Sequence, residues 1–142
     1  QIVSENRAGT QKFYGPDPLG SVVTIYDTTG TVTDTFIYWP YGEIRTSTGS
    51  STLNFKFCGT WGYYSDATGR LYVRARFYRD KISRWQTVDP LWPSQLSYAY
   101  ADGRPTSATD RSGTKTMGSP PDDTMRRVKP TTVRRWSIST SS

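Results

Sequence analysis

A turn written three times constrains this chain more than any other feature. Tyr26-Asp27-Thr28-Thr29-Gly30-Thr31-Val32 and Tyr38-Trp39-Pro40-Tyr41-Gly42-Glu43-Ile44 share one pattern: Tyr, three residues, Gly, one residue, aliphatic. Ser65-Asp66-Ala67-Thr68-Gly69-Arg70-Leu71 repeats it with Ser in the Tyr place. Gly supplies the left-handed backbone that a tight turn needs, Asp bonds the amides ahead of it, and the aliphatic residue opens the next strand. A chain with such a repeat folds as strand, turn and strand, each unit covering its neighbour.

The flanks agree. Ser21 to Tyr26 and Val32 to Tyr38 are rich in β-branched and aromatic residues, so residues 20–38 read as a hairpin. Leu53 to Phe57 alternates with period two, and so does Leu71 to Tyr78. In the latter, Leu71, Val73, Ala75 and Phe77 share one face and Tyr72, Arg74, Arg76 and Tyr78 the other. The segment RTSTGSST, residues 45–52, has no apolar side chain to bury and reads as a flexible connection. Helix is confined to two short candidates, Ser94 to Tyr100 and a turn around Lys81. The fold class is therefore all-β: strand-turn-strand units forming part of a wrapped sheet.

Mean hydropathy is −0.67 and hydrophobic residues make up 34%, so the core depends on the aromatic 14%. Large amphipathic rings bury area while their polar ends reach a partner. There is no His, and Cys58 is the one cysteine. That excludes an intrachain disulfide, a His/Cys zinc site and the Ser/His and Cys/His nucleophile pairs. No metal or cofactor is expected, chemistry falls to carboxylates, hydroxyls, Lys and Arg, and Cys58 reads as a small buried hydrophobe in a strand. No apolar run of about 18 residues suggests a membrane-spanning helix. The start QIVSENRAGT carries neither Met nor a leader and reads as part of something longer.

Charge is unevenly placed. Of a net +6, residues 114–142 hold four, through Lys115, Arg126, Arg127, Lys129, Arg134 and Arg135 against Asp122 and Asp123. That tail has three Pro and a single aromatic residue, and is expected to be disordered. It is also too short for an effector enzyme, so no activity on other substrates is expected. Its Arg pairs suit phosphates or an acidic membrane surface, or have no selected role.

DPLGSV (17–22), YWPYGEI (38–44), GRLYVRARFY (69–78), RWQTVDPLW (84–92), YAY (98–100) and RPTSATDRSG (104–113) follow one another in order. Together they closely resemble the RHS repeat-associated core of the RHS/YD-repeat proteins, over about residues 13–113. The chain then divides into a leading segment 1–12, the core 13–113 and a short basic tail 114–142. The resemblance implies a strand spiral that winds into a hollow shell around a C-terminal effector, with this segment closing it. It implies as partners further upstream repeats and C-terminal cargo, and a secreted or cell-envelope location. It also implies that Pro105, Asp110, Gly113 and Thr114 form the junction motif, with Asp89 and Asp110 as the two acidic residues of a self-cleavage after Thr114. Arg111 and Thr114 stand where the family has Pro and Leu.

Two carboxylates sharing a site hold one acid and one base at the same pH, which is the equipment to activate water on a peptide carbonyl. Which of Asp89 and Asp110 takes which part stays open, since a coupled pair titrates as a unit. A nearby Arg would steady the oxyanion, with Arg84 and Arg104 as candidates. The plain alternative is that Asp-Pro and Asp-x-x-Gly are turns and nothing more.

Two other function classes stay open. Trp61, Trp85 and Trp92 with the Tyr residues form either a stacking face for glycans or the core of a sheet. Arg74, Arg76 and Arg79 form a basic patch whose natural partners are Tyr faces and carboxylates. Where the rings point decides between a binding module and a shell segment. Nucleic-acid binding rests on tail charge alone and is disfavoured. An excised shell segment has open strand edges, and self-association through them is expected.

Overall fold

The computed structural model describes residues 1–114 and the backbone of 117–118. It is all-β, with no α-helix among the described residues. Strands β1 (Ser4–Arg7), β2 (Thr10–Pro16), β3 (Val22–Tyr26), β4 (Val32–Tyr38) and β5 (Ile44–Thr48) form an antiparallel meander in chain order. A second antiparallel sheet holds β6 (Tyr64–Ser65), β7 (Leu71–Val73), β8 (Arg76–Arg79) and β9 (Arg84–Trp85). Finally β10 (Ala108–Thr109) pairs with β11 (Met117–Gly118).

The repeated turn is one structure used again and again. In the copy joining β3 to β4, the Asp27 carboxylate accepts the amides of Thr29 at 2.8 Å and Thr31 at 2.9 Å, and Gly30 sits at φ 84°. Asp66 does the same for Thr68 at 2.8 Å and Arg70 at 3.0 Å, with Gly69 at φ 75°. The middle copy has Trp39 in the Asp place and closes through backbone alone, Gly42 donating to the Trp39 carbonyl at 2.8 Å. A further copy the repeat pattern missed lies at Asp17, whose carboxylate accepts Leu19 and Ser21.

Tyr14, Val22, Ile25, Phe36 and Leu53 form the core of the first sheet. Phe57, Cys58, Tyr63, Leu71, Val73, Tyr78, Trp85 and Tyr100 lead the second. Tyr38 packs against both and donates its hydroxyl to the Val22 carbonyl at 2.6 Å.

Several expectations are corrected. Leu71 to Tyr78 is two strands, because Arg74 at φ 49° turns the chain and pairs Val73 with Arg76. Cross-strand partners share a face, so Leu71, Val73, Arg76 and Tyr78 point inward together and Tyr72 and Phe77 outward. Arg76 therefore leaves the basic patch expected with Arg74 and Arg79. Ser94 to Tyr100 is not helical. Its carbonyls are taken elsewhere, that of Ser97 by the Asp89 amide and that of Tyr98 by the Trp85 amide. Arg45 to Thr48 belongs to edge strand β5 rather than to a loose connection, its Thr48 hydroxyl 2.7 Å from that of Thr35. Leu53 to Phe57 keeps its buried ends but joins no ladder; the Asn54 carbonyl accepts from Ser65 and that of Lys56 from Val22, which stitches the two sheets together. Cys58 is buried as expected, but in a left-handed turn position, not a strand. Of the tail expected to be disordered, Met117 and Gly118 form β11 against β10, and residues 115–116 and 119–142 lie outside the described residues. The Arg pairs at 126–127 and 134–135 lie outside the described residues. The expected turn at Lys81 is present as Asp80–Ile82.

Candidate junction site

Three segments meet at one guanidinium. Strand β8 turns Arg76 inward, the loop after β9 brings Asp89, and the end of β10 brings Asp110. Arg76 Nη2 lies 2.7 Å from Asp89 Oδ2 and 3.3 Å from Asp110 Oδ2, and all three side chains are 2–3% exposed. The guanidinium carbon lies 4.1 Å from the centre of the Trp85 ring, and Nε donates to the Gly113 carbonyl. Arg76 Nη1 has no hydrogen-bond partner among the described residues.

Each carboxylate also shapes its own turn. Asp89 Oδ1 accepts the Leu91 amide at 2.8 Å. Asp110 Oδ1 accepts the amides of Ser112 at 3.2 Å, Gly113 at 2.8 Å and Thr114 at 3.1 Å, and the Ser112 hydroxyl at 3.1 Å. Residues Asp110 to Gly113 are therefore the repeat's Asp-x-x-Gly turn again, with Asp110 and Gly113 buried. Gly113 is obligatory there: at φ 76°, a β-carbon would stand 2.3 Å from the Val73 carbonyl oxygen. Pro105 is buried at the start of the same segment.

Behind Asp110 lies a buried polar chain. Tyr63 donates its hydroxyl to the Asp110 carbonyl and accepts the Asp110 amide at 3.1 Å. Its oxygen also lies 3.1 Å from that of Tyr100, whose oxygen is 3.7 Å from Cys58 Sγ. Burial, then the neighbouring Cys58, holds both phenols well above the ordinary tyrosine value, and burial pushes the Cys58 thiol up to about 12. All three are neutral at ordinary pH. Beside them the Arg111 guanidinium carbon lies over Trp61, 3.3 Å from the ring centre. Trp61 is tied through its indole to the Leu19 carbonyl, so Arg111 is pinned by stacking to the turn between β2 and β3.

Asp89 and Asp110 are thus brought together on one cation. Arg84 and Arg104 are not the arginines that meet them: both are exposed, and Arg104 pairs with Asp102 at 4.0 Å. Sequence reasoning missed Arg76 because the turn at Arg74-Ala75 contains no Gly, Asn or Asp to mark it. Tyr63 carried no signal at all, its role being set by packing. Among the described residues no group of three or more His, Cys, Asp or Glu could hold a metal ion, and the place between the carboxylates is filled by Arg76.

No family model and no curated protein matches the chain. Solved structures do. A crystal structure of TcdB2-TccC3-Cdc42 superposes with a TM-score of 0.69 at 22% identity, over 75% of this chain and 5% of that one. TcdB2-TccC3 without its hypervariable C-terminal region gives 0.68 at 22%, over 74% and 5%. A Tc holotoxin pore of Photorhabdus luminescens gives 0.69 at 21%, over 76% and 5%. The chain has the RHS-like fold of these toxin components and spans about 5% of the length of each.

Proposed function

We propose that the chain is an RHS core segment that closes a β-shell around a C-terminal effector, and that its junction cuts itself after Thr114. The observation that carries the cleavage reading is the convergence of Asp89 and Asp110 on Arg76 at the junction turn. One carboxylate takes a proton from water as its oxygen attacks the Thr114 carbonyl carbon; the other protonates the Lys115 nitrogen as the C–N bond breaks. Arg76 holds both in register, and its Nη1, unpartnered among the described residues, is the donor for the oxyanion. The product is a new carboxylate at Thr114 and a free amine at Lys115.

Intact mass of the purified chain after incubation from acidic to neutral pH tests this, beside an Asp110→Asn variant. Release of Lys115 to Ser142 from the parent and not from the variant is the expected result. An unchanged mass in both leaves a structural cap and removes the self-cleavage.

The ring positions favour the shell, since Phe57, Tyr63, Tyr78, Trp85 and Tyr100 point inward and stack at 4.5–6.4 Å. One observation favours a glycan-binding surface as a second reading. On the outer face of the second sheet Phe55 meets Tyr64 at 5.5 Å, Tyr64 pairs with Tyr72, and Tyr72 meets Phe77 at 5.4 Å, with Arg70 4.7 Å above Phe77. Retention of the chain on an immobilised acidic polysaccharide, lost in a Tyr64→Ala/Tyr72→Ala variant, supports that reading; equal elution of both removes it.

A further inference from the structure

Asp110 is held at every polar atom. Its Oδ2 meets Arg76, its Oδ1 caps the turn, and its amide and carbonyl are both gripped by one hydroxyl, that of Tyr63. A phenol has one proton and two lone pairs. Because Tyr63 gives its proton to the Asp110 carbonyl, it must accept from both the Asp110 amide and Tyr100. Tyr100 in turn is left to accept from the Cys58 thiol. The chain therefore runs in one direction, from thiol to junction backbone, with every proton accounted for.

We infer that Tyr63 is the positioning residue of the junction, with Tyr100 fixing the direction of its hydroxyl. This rests on the self-cleavage reading. Tyr63 acts by fixing where the Asp110 carboxylate stands. A Pro after the Asp, as in the family's motif, would restrict that residue's backbone. Here Arg111 stands in its place, and the restriction falls to the phenol behind it and the Trp61 stack beside it. Neutral over the ordinary pH range, Tyr63 does this as a hydrogen-bond donor and acceptor, without charge.

The test is the rate of release of Lys115 to Ser142, followed by intact mass, in the parent chain and in Tyr63→Phe, Tyr100→Phe and Tyr78→Phe. Tyr78 is the control: it belongs to the same aromatic core and gives its hydroxyl to the Tyr41 carbonyl at 2.7 Å, away from Asp110. Small displacements of a reacting group slow reactions by about tenfold to a hundredfold, and that is the loss expected for Tyr63→Phe. Tyr100→Phe leaves both bonds to Asp110 and is expected to slow release less. Tyr78→Phe is expected to match the parent. Release from folded Tyr63→Phe at the parent's rate overturns the inference, as does an equal slowing by Tyr78→Phe, which marks general softening of the core. If Tyr63→Phe does not fold, Tyr100→Phe against Tyr78→Phe decides, and equal rates overturn it. If the parent releases nothing while Asp110→Asn also stays whole, the cleavage reading falls and the positioning role falls with it.

Discussion

The sheet from Ser4 to Thr48 and the segment from Leu53 to Thr114 are both antiparallel, yet different forces fix them. The first is a ladder: five strands joined by short turns, a small aliphatic and aromatic core, and a buried carboxylate, Asp34, whose ion pair with Lys12 at 3.6 Å leaves the Lys 26% exposed. The second has strands of only two to four residues, joined by mostly exposed connections. Strands that short cannot hold a sheet by backbone bonds alone. Side chains hold it instead: packed rings, and a cation between two carboxylates. The comparison teaches that the repeat makes a sheet from local turns, while the cluster of Arg76, Asp89 and Asp110 is made by tertiary contacts alone.

The largest difference should appear when the cation that meets the buried carboxylate of each half is removed. Arg76→Met leaves Asp89 and Asp110 buried with no counter-ion, and losing one partner of a buried ion pair costs about 3–5 kcal/mol. Lys12→Met leaves Asp34 with the Thr33 hydroxyl at 2.7 Å and the Ser51 amide at 2.7 Å, and an ion pair near the surface is worth about 0–1 kcal/mol. Denaturant midpoints are the measurement. Equal losses would show that the two halves are built alike.

Glycine sharpens the contrast at a smaller scale. Gly30, at φ 84°, has open space around it, so Gly30→Ala carries only the left-handed penalty of about 1–2 kcal/mol. Gly113→Ala carries that penalty and drives a methyl into the Val73 carbonyl, forcing apart β7 and the junction. Thermal melting should rank Gly113→Ala well below Gly30→Ala. A reversed order would mean the junction turn yields as freely as a surface one.

These two halves were unequally legible. Tyr26, Gly30, Tyr38 and Gly42 announced the first sheet because a local turn has a local signature. Gly69 announced β7 for the same reason. The reversal at Arg74 was silent: a left-handed Arg has no compositional mark, and the turn is stabilised from a distance, by Arg76 reaching two carboxylates 13 and 34 residues further along the chain. Asp89 and Asp110 were reached by resemblance, not by chemistry, and Arg84 and Arg104 were the candidates for a supporting arginine because sequence nearness stood in for geometry. The edge strand β5 failed in the other direction. Its Ser and Thr side chains face water, so only pairing with β4 makes them a strand, and pairing leaves no pattern in the residues themselves.

That exposed edge is where the ladder half is open to copies of itself. Thr46, in the middle of β5, faces solvent with the rest of the strand. Sedimentation of the chain over a range of concentrations is expected to show association, and Thr46→Lys to weaken it several-fold by placing charge on the edge. A second-sheet control, Arg79→Lys, should leave it unchanged. Association equally insensitive to both would move the contact away from the ladder.

The smallest expected effect compares the same turn in both halves. The Asp27 carboxyl is held below its ordinary 3.8, first by the Thr29 hydroxyl and then by the amides ahead of it. Asp66 is held far lower, first by the Thr68 hydroxyl and then by Arg70, whose amide and guanidinium both reach it, the latter at 2.9 Å. A carboxyl depressed by folding adds stability that is fully present above its unfolded value and is lost as pH falls through the folded one. Both contributions therefore disappear below pH 3.8, Asp27 first and Asp66 at lower pH. Asn keeps the oxygen that the amides reach but does not titrate. Denaturant midpoints compared at about pH 5 and about pH 2.5 should fall less in Asp66→Asn than in the parent, with a smaller flattening in Asp27→Asn. The extra share in Asp66 belongs to the guanidinium, so Arg70→Gln should bring the two turns level. If the pair already behaves alike, the ion pair at Asp66 is idle and the turn is one device in both halves, set by Asp, Thr and Gly alone.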